Sequence, residues 1–304
     1  MRIPSGVRFF CSAVSGRKET YMKAGIIGGG RVGACLAGYL KKAGMLAGIT
    51  ASAPERSRSL AKQFGTQYMT NDGLLAAADV VLLTVPDRSI GSVAAALDGA
   101  LAAGKTVLHC SGSLGLETLA PLQAAGAHTG SLHPLQSFAG GATNLQGVYM
   151  AVDGDAEALQ AAEKLAHVFG GCSFRVPAEE RAAYHAAACI CSNYAVAVEA
   201  LAQKLMSRWM PGRDAAAAWK ALLPLFEGTA ANLRRTDNAG SVLTGPIARG
   251  DLSTVEKHLA VLPEEFLPVY RSLGIAAAQL ALANGTIDAI TARQLEKLLQ
   301  DSEV

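Results

Sequence analysis

Two histidines stand where an imidazole could move a proton. His133 closes a short run, residues 130–132, that reads as the end of a late strand, and Pro134 keeps the chain from running straight into a helix. His185 leads a second set. His185, Cys189 and Asn193 are four residues apart in an alanine-rich stretch, so they share one face of a helix, with Ser192 beside them. An imidazole of ordinary pKa is a useful general acid or base near neutrality. Either histidine could fill that role, while Asn193 and Ser111 could orient a polar substrate. A turn over residues 243–251 adds Thr244, Arg249 and Asp251, which are a hydroxyl, a cation and a carboxylate. Arg249 could hold an anionic substrate group, or only pair with Asp251 across the turn. Polar groups on an apolar helix need partners; for the His185 stripe these are a substrate or neighbouring helices. His109 and His128 lack such placement and read as structural.

The chain also carries Gly28-Gly29-Gly30-Arg31-Val32-Gly33, after an apolar run at 24–27 and before a helical pattern at 34–42. Strand, glycine turn and helix in this order can hold the pyrophosphate of a dinucleotide. Gly28 permits the sharp turn, Gly30 lets backbone N–H groups approach the phosphates, and Gly33 lets the helix pack on the strand. The helix N-terminus offers unpaired N–H groups and the positive end of its dipole. The next strand, 47–50, should end in an acid if the ribose 2′-hydroxyl is to be held. The chain instead continues Ala51-Ser52-Ala53-Pro54-Glu55-Arg56, and Pro54 puts Glu55 outside the strand. Ser52 and Arg56 could bind a 2′-phosphate. NADP is therefore the expected cofactor and NAD the less favoured one; the alternative is that Arg56 and Arg58 only solvate the following helix.

These residues need a frame, and the hydrophobic pattern supplies one. Strands are predicted at 47–50, 66–70, 79–85 and 105–111, with one ending near 133 and two more at 148–152 and 172–176. Helices are predicted at 57–64, at 71–78 with Asn71 and Asp72 as caps, and at 90–101, 114–124 and 155–169. Ligands of doubly wound sheets gather at the carboxyl ends of the strands, so Val85, Pro86, Asp87 and Ser111 should border the cofactor. Beyond Pro177 the alternation gives way to helices at 178–210, 215–234, 253–261, 264–283 and 288–299. The expected fold is α/β: a Rossmann doubly wound sheet over 22–176, then an all-helical domain over 177–304. A length of 304 residues suits two domains.

Composition narrows the partners. A net charge of +2 without a long basic run speaks against nucleic acid, and no uninterrupted apolar stretch looks long enough to span a membrane. The six cysteines form no CxxC and the six histidines no ligand spacing, so free thiols, no metal and a cytoplasmic location are expected. Residues 1–21 carry Arg2, Arg8, Arg17 and Lys18 against Glu19. They partly fit a mitochondrial presequence, but a disordered extension is the preferred reading.

Four stretches together resemble a known group: the glycine turn, His133-Pro134-Leu135-Gln136, Tyr184-His185-Ala186-Ala187-Ala188 with Ser192-Asn193, and residues 244–251. The group is the Rossmann-like proteins with a C-terminal helical domain of unknown function, often called NADP oxidoreductases. The resemblance runs from Met22 to about Leu299. Its wider relatives are 3-hydroxyisobutyrate, 6-phosphogluconate and prephenate dehydrogenases and the ketopantoate and pyrroline-5-carboxylate reductases. In the hydroxyacid dehydrogenases a helix supplies a catalytic Lys and, four residues on, an Asn. Asn193 matches that Asn, but Cys189 stands in place of the Lys. In prephenate dehydrogenases a His-Pro after a late strand carries the acid/base histidine, which His133-Pro134 resembles. The resemblance implies a hydride transfer between NADP and a small polar substrate, a carbonyl or hydroxy compound or a cyclic imine, in a cleft between the domains. It also implies a homodimer through the helical domain. The alternative is an NADP(H)-binding sensor without turnover.

Overall fold

The computed structural model describes residues 22–139 and 143–300; the expectation for residues 1–21 lies outside them. The described chain divides into two compact units at Tyr194 and Ala195. Val176 closes the sheet, and the first unit runs on through one more helix.

The first unit is a seven-stranded sheet: β1 (Ala24–Ile27), β2 (Leu46–Thr50), β3 (Val80–Leu83), β4 (Thr106–His109), β5 (His128–Pro134), β6 (Tyr149–Gly154) and β7 (Cys172–Arg175). Their order is β2-β1-β3-β4-β5-β6-β7. All neighbours are parallel except β5 and β6, where Leu132 faces Val152 and His133 faces Ala151. Helices α1 (Arg31–Lys42), α2 (Pro54–Phe64), α3 (Asn71–Ala77), α4 (Asp87–Ala96), α5 (Gly99–Ala102), α6 (Ala120–Ala124) and α7 (Ala156–Val168) cover both faces. Every residue of β1, β3 and β4 is buried, as a parallel sheet covered on both sides requires. Because strand side chains alternate, Ile26, Leu82 and Leu108 pack with Leu36, Leu40, Leu165 and Phe169. Ile27, Val81, Leu83 and Val107 take the other face with Leu74, Ile90 and Leu119. Each such buried side chain contributes about 2 kcal/mol.

Several predicted elements need correction. Residues 66–70 form no strand. Gln67 and Tyr68 are both exposed, so the period-two burial of a half-buried strand is missing. Tyr68 lies under the Arg58 guanidinium instead, 4.9 Å from ring centre to charge. The cap of α3 is Thr70, whose hydroxyl accepts from Gly73 N–H, not Asn71 or Asp72. The helix expected at 90–101 is two, α4 and α5, with Asp98 capping the second through Ala100 N–H. The stretch 114–124 is a 3-10 turn, Leu116–Leu119, followed by α6.

The run expected as one helix over 178–210 changes pitch. It holds a 3-10 turn, then α8 (Arg181–Cys189), a π-turn at Ile190–Tyr194, and α9 (Ala195–Met206). The second unit, from Ala195, adds α10 (Ala215–Leu233), α11 (Leu252–Val261), α12 (Leu267–Ala283) and α13 (Ala289–Leu299). Its core is Val255, Ala278, Ala281, Ile287, Ala292, Leu295 and Leu299. Two helical runs, Ala178–Trp209 and Glu264–Ala283, are long and apolar enough to cross a membrane, which corrects the reading that no stretch reaches that length. The first carries the buried Arg181 and the second places Ala278 and Ala281 in a protein core.

Candidate active site

The glycine turn has the conformation its sequence requires. Gly28 adopts φ +127°, open to glycine, and a Cβ there would lie 2.6 Å from the Thr84 backbone. A Cβ on Gly33 would lie 1.9 Å from the Gly28 carbonyl oxygen. Thr84 tightens the turn from below, its hydroxyl donating to the Gly28 carbonyl at 2.7 Å. Gly30 differs: a Cβ there would meet no atom of the described residues within 4 Å. Gly30 is also the N-cap of α1, with no side chain capping the helix and no acid in its first turn. The first N–H groups of α1 are thus left for an anion, beside open space.

That space belongs to a cavity of about 920 Å³. Its walls bring together Gly28, Gly30, Arg31 and Val32 from the turn, Ser52 and Arg56 from beyond β2, and Val85 and Pro86 from beyond β3. All the expected cofactor-binding residues except the buried Gly33 line it, and Gly33 shapes it from within. Asp87 is the lone carboxylate among the described lining residues, and it lies after β3, not β2. Ser57, which sequence reading passed over, shapes the β2–α2 corner by accepting from Ala51 N–H at 2.8 Å.

Asp87 leads to the histidines. Its carboxylate accepts from Ser111 Oγ at 2.7 Å and Ser113 Oγ at 3.0 Å. Ser111 Oγ in turn accepts from Leu114 N–H at 3.1 Å, so it fastens this turn as well as facing Asp87. Between the two serines is Gly112, buried, whose absent Cβ would lie 2.9 Å from Nε2 of His133 and 2.8 Å from Nδ1 of His185. The two expected acid/base candidates are therefore neighbours, their ring centres 6.3 Å apart. His133 Nδ1 is 2.7 Å from the Tyr184 hydroxyl. His185 Nδ1 is buried with no hydrogen bond among the described residues, and its Nε2 is 3.6 Å from Cys189 Sγ.

Arg181, missed by sequence reading, pins this arrangement. It is 1 % exposed, and its guanidinium donates to Ser131 Oγ at 2.8 Å and to the Ser111 carbonyl at 3.0 Å. One residue of α8 thus ties the end of β4 to the middle of β5 and sets Tyr184 and His185 one turn further on. The buried cation has an electrostatic consequence. Burial first, then the charges of His185 and Arg181, hold His133 down to about 4. Burial and Arg181 hold His109 to about 4 as well, and its ring is 0 % exposed in the sheet. Burial also pushes the Tyr184 hydroxyl up to about 12, against the pull of Arg181. At neutral pH His133 and Tyr184 are both uncharged. A charged residue opening an alanine-rich helix was the available sequence signal for Arg181.

The remaining candidates fall on other elements. Asn193 is exposed and lies, with Ser192, in the π-turn, where the wider pitch breaks the four-residue stripe. Among the described residues no hydrogen bond joins Asn193 to His185 or Cys189. In the second unit, Thr244 and Arg249 are exposed. Asp251 is committed to capping α11, accepting from Thr254 N–H, Thr254 Oγ1 and Ser253 Oγ, and these bonds hold it below the usual carboxylate range. One group of ligand-type side chains occurs among the described residues, His128, Asp155 and Glu157. Asp155 there is the cap of α7 and also accepts from Thr129 N–H.

Residues 11–134 match the Rossmann-like domain, and residues 148–277 match DUF2520, a domain of unknown function. No curated protein matches the chain by sequence. Among solved structures it is similar to protein TM1727 from Thermotoga maritima, at 24 % identity and TM-score 0.62, over 90 % of this chain and 98 % of that one. It is similar to 1-pyrroline-5-carboxylate reductase from Streptococcus pyogenes at 19 % identity and TM-score 0.58, over 92 % of this chain and 100 % of that one. A reductive aminase from Aspergillus terreus, solved with NADPH and ethyl levulinate, matches at 18 % identity and TM-score 0.57, over 92 % of this chain and 93 % of that one. At these identities the likeness is one of fold.

Proposed function

We propose that the protein is an NADP-dependent oxidoreductase acting on a small polar, anionic carbonyl, hydroxy or imine substrate. The observation that carries this is the open α1 N-terminus at Gly30, uncapped and without acids, facing a cavity that also holds Ser52, Arg56 and Arg31. These groups suit a pyrophosphate and a 2′-phosphate. When bound, the reduced nicotinamide supplies hydride. The chain's own part is to orient and to protonate. His133, beside the turn that Asp87 fastens, is the acid/base group, with His185 as its neighbour. Ser111 shapes the rim, and Asn193, Ser192, Thr244 and Arg249 keep their sequence-based assignment to substrate. The NADPH complex of the reductive aminase and the reductase named above support the same class of reaction. The apolar helices of the second unit support a homodimer, and the free thiols a cytoplasmic location.

Titration with NADPH and NADH by nicotinamide fluorescence tests the cofactor. NADPH should bind and NADH bind poorly, and Arg56→Ala should weaken NADPH by about tenfold or more, the loss of one charge-assisted contact. Absence of binding by either nucleotide would end the oxidoreductase reading. A sensor without turnover is the second reading, favoured by Cys189 in place of a catalytic Lys. It requires NADPH binding with no NADPH oxidation across 2-oxo acids, aldehydes and cyclic imines.

A further inference from the structure

The bond between Tyr184 and His133 poses a problem that the oxidoreductase reading leaves open. A histidine held to about 4 is neutral at pH 7, so it cannot act as an imidazolium donor. A neutral imidazole can still deliver a proton from one nitrogen if it gains one at the other. The geometry offers that second proton. Tyr184 Oη is 2.7 Å from Nδ1 of His133, while Nε2 points to the Gly112 turn, where His185 Nδ1 also arrives without a protein partner. Two imidazole nitrogens with no protein hydrogen bond among the described residues thus converge on one spot beside the rim. The Tyr184 ring is itself fixed, edge-on to Phe174 with centres 5.9 Å apart.

We infer that Tyr184 is a positioning residue that makes His133 a neutral proton relay. This rests on the oxidoreductase reading. The Tyr184 hydroxyl donates to Nδ1 and so fixes the tautomer with hydrogen on Nε2. As negative charge develops on the substrate oxygen or nitrogen, the Nε2–H bond breaks and that proton joins the substrate's lone pair. The Tyr184 O–H bond breaks together with it, and its proton joins Nδ1. His133 ends neutral, as it began, in the other tautomer. The charge ends on Tyr184 as tyrosinate, which the Arg181 guanidinium stabilises; the Nδ1 proton then returns to it as solvent supplies a proton to Nε2, which restores the starting tautomer. In the oxidative direction every proton runs the opposite way. Arg181 thus has two effects: it keeps His133 neutral and it favours the anion formed at Tyr184.

Nitrogen-15 NMR of the histidine rings, with His133 assigned by a His133→Gln variant, tests the relay without a known substrate. In wild type the His133 ring should be a single Nε2–H tautomer at pH 7. In Tyr184→Phe, which keeps the ring packing, the tautomers should mix. The His133 pKa should also rise, by about one unit, because a bond to the neutral form has been lost. An Nδ1–H tautomer in wild type, or an unchanged tautomer and titration in Tyr184→Phe, would overturn the proposal. Any probe the enzyme turns over, such as 1-pyrroline or a 2-oxo acid with NADPH, adds a kinetic arm. There Tyr184→Phe should lower kcat by about 100-fold with little change in KM. NADPH binding is measured on the same samples. If it is lost in wild type the cofactor reading fails, whereas a relay that fails with NADPH still bound fails alone.

Discussion

The two units bury their hydrophobic residues very differently. In the first, both faces of the sheet are sealed, and the four-residue strands β1, β3 and β4 are buried end to end. In the second, α11, α12 and α13 form a small core, but α9 buries none of its residues and α10 only Ala218. Val196 and Leu225 are each 70 % exposed. The contrast teaches that the sheet is sealed by the helices of its own unit, while the α9–α10 pair leaves an apolar surface exposed. It also separates the chemistry: the buried titratable groups with strongly lowered pKa are in the first unit, and acid should act there first.

Acid is accordingly the strongest way to sharpen the difference. His109 and His133 sit at about 4 in the folded protein but near 6.5 when unfolded. Between those values the unfolded chain binds more protons, so stability should be level above pH 6.5 and fall as pH drops toward 4. The loss should approach about 3 kcal/mol for each ring. Thermal melts from pH 7.5 to 4.5 check this, and a melting temperature flat across that range would refute it. Gly33→Ala comes next. Its methyl has no room against the Gly28 carbonyl, so it should cost about 3 kcal/mol and remove NADPH binding; urea unfolding and the fluorescence titration read both.

In the second unit Leu225→Glu should weaken the proposed dimer by about tenfold or more, about 1.4 kcal/mol, in sedimentation. An unchanged association would show that α10 is not the interface. The smallest change has the opposite sign. Gly228, exposed within α10 with nothing near its missing Cβ, should tolerate Gly228→Ala and gain about 1 kcal/mol. A loss there would mean that this helix face is already covered.

How local a feature is decides how legible it was in the sequence. The glycine turn, the uncapped α1 and the ends of β3 and β4 could be read directly, because the constraint and the residues that meet it are adjacent in the chain. The phantom strand at 66–70 arose because β-branched and aromatic residues in a short run look the same whether or not a neighbouring strand pairs with them. The pitch change at Ile190–Tyr194 left no compositional mark either, so the stripe drawn through Asn193 was too long. His133 and His185 could each be singled out, but their convergence on Gly112 could not. It depends on the docking of α8 against strands 50 and 70 residues earlier, through Arg181.

That buried guanidinium also carries a message about folding. Its two bonds close loops of 50 and 70 residues, so the entropy of bringing those ends together is spent before either bond returns anything. The charge must also leave water at that moment. Such a contact forms late, after the sheet it fastens onto is built. Replacing Arg181 by Met should therefore leave the refolding rate almost unchanged and speed unfolding, a φ-value near zero. The residue that holds the histidines together is then a latch on the native state, setting how long the assembled site persists more than how fast it is made.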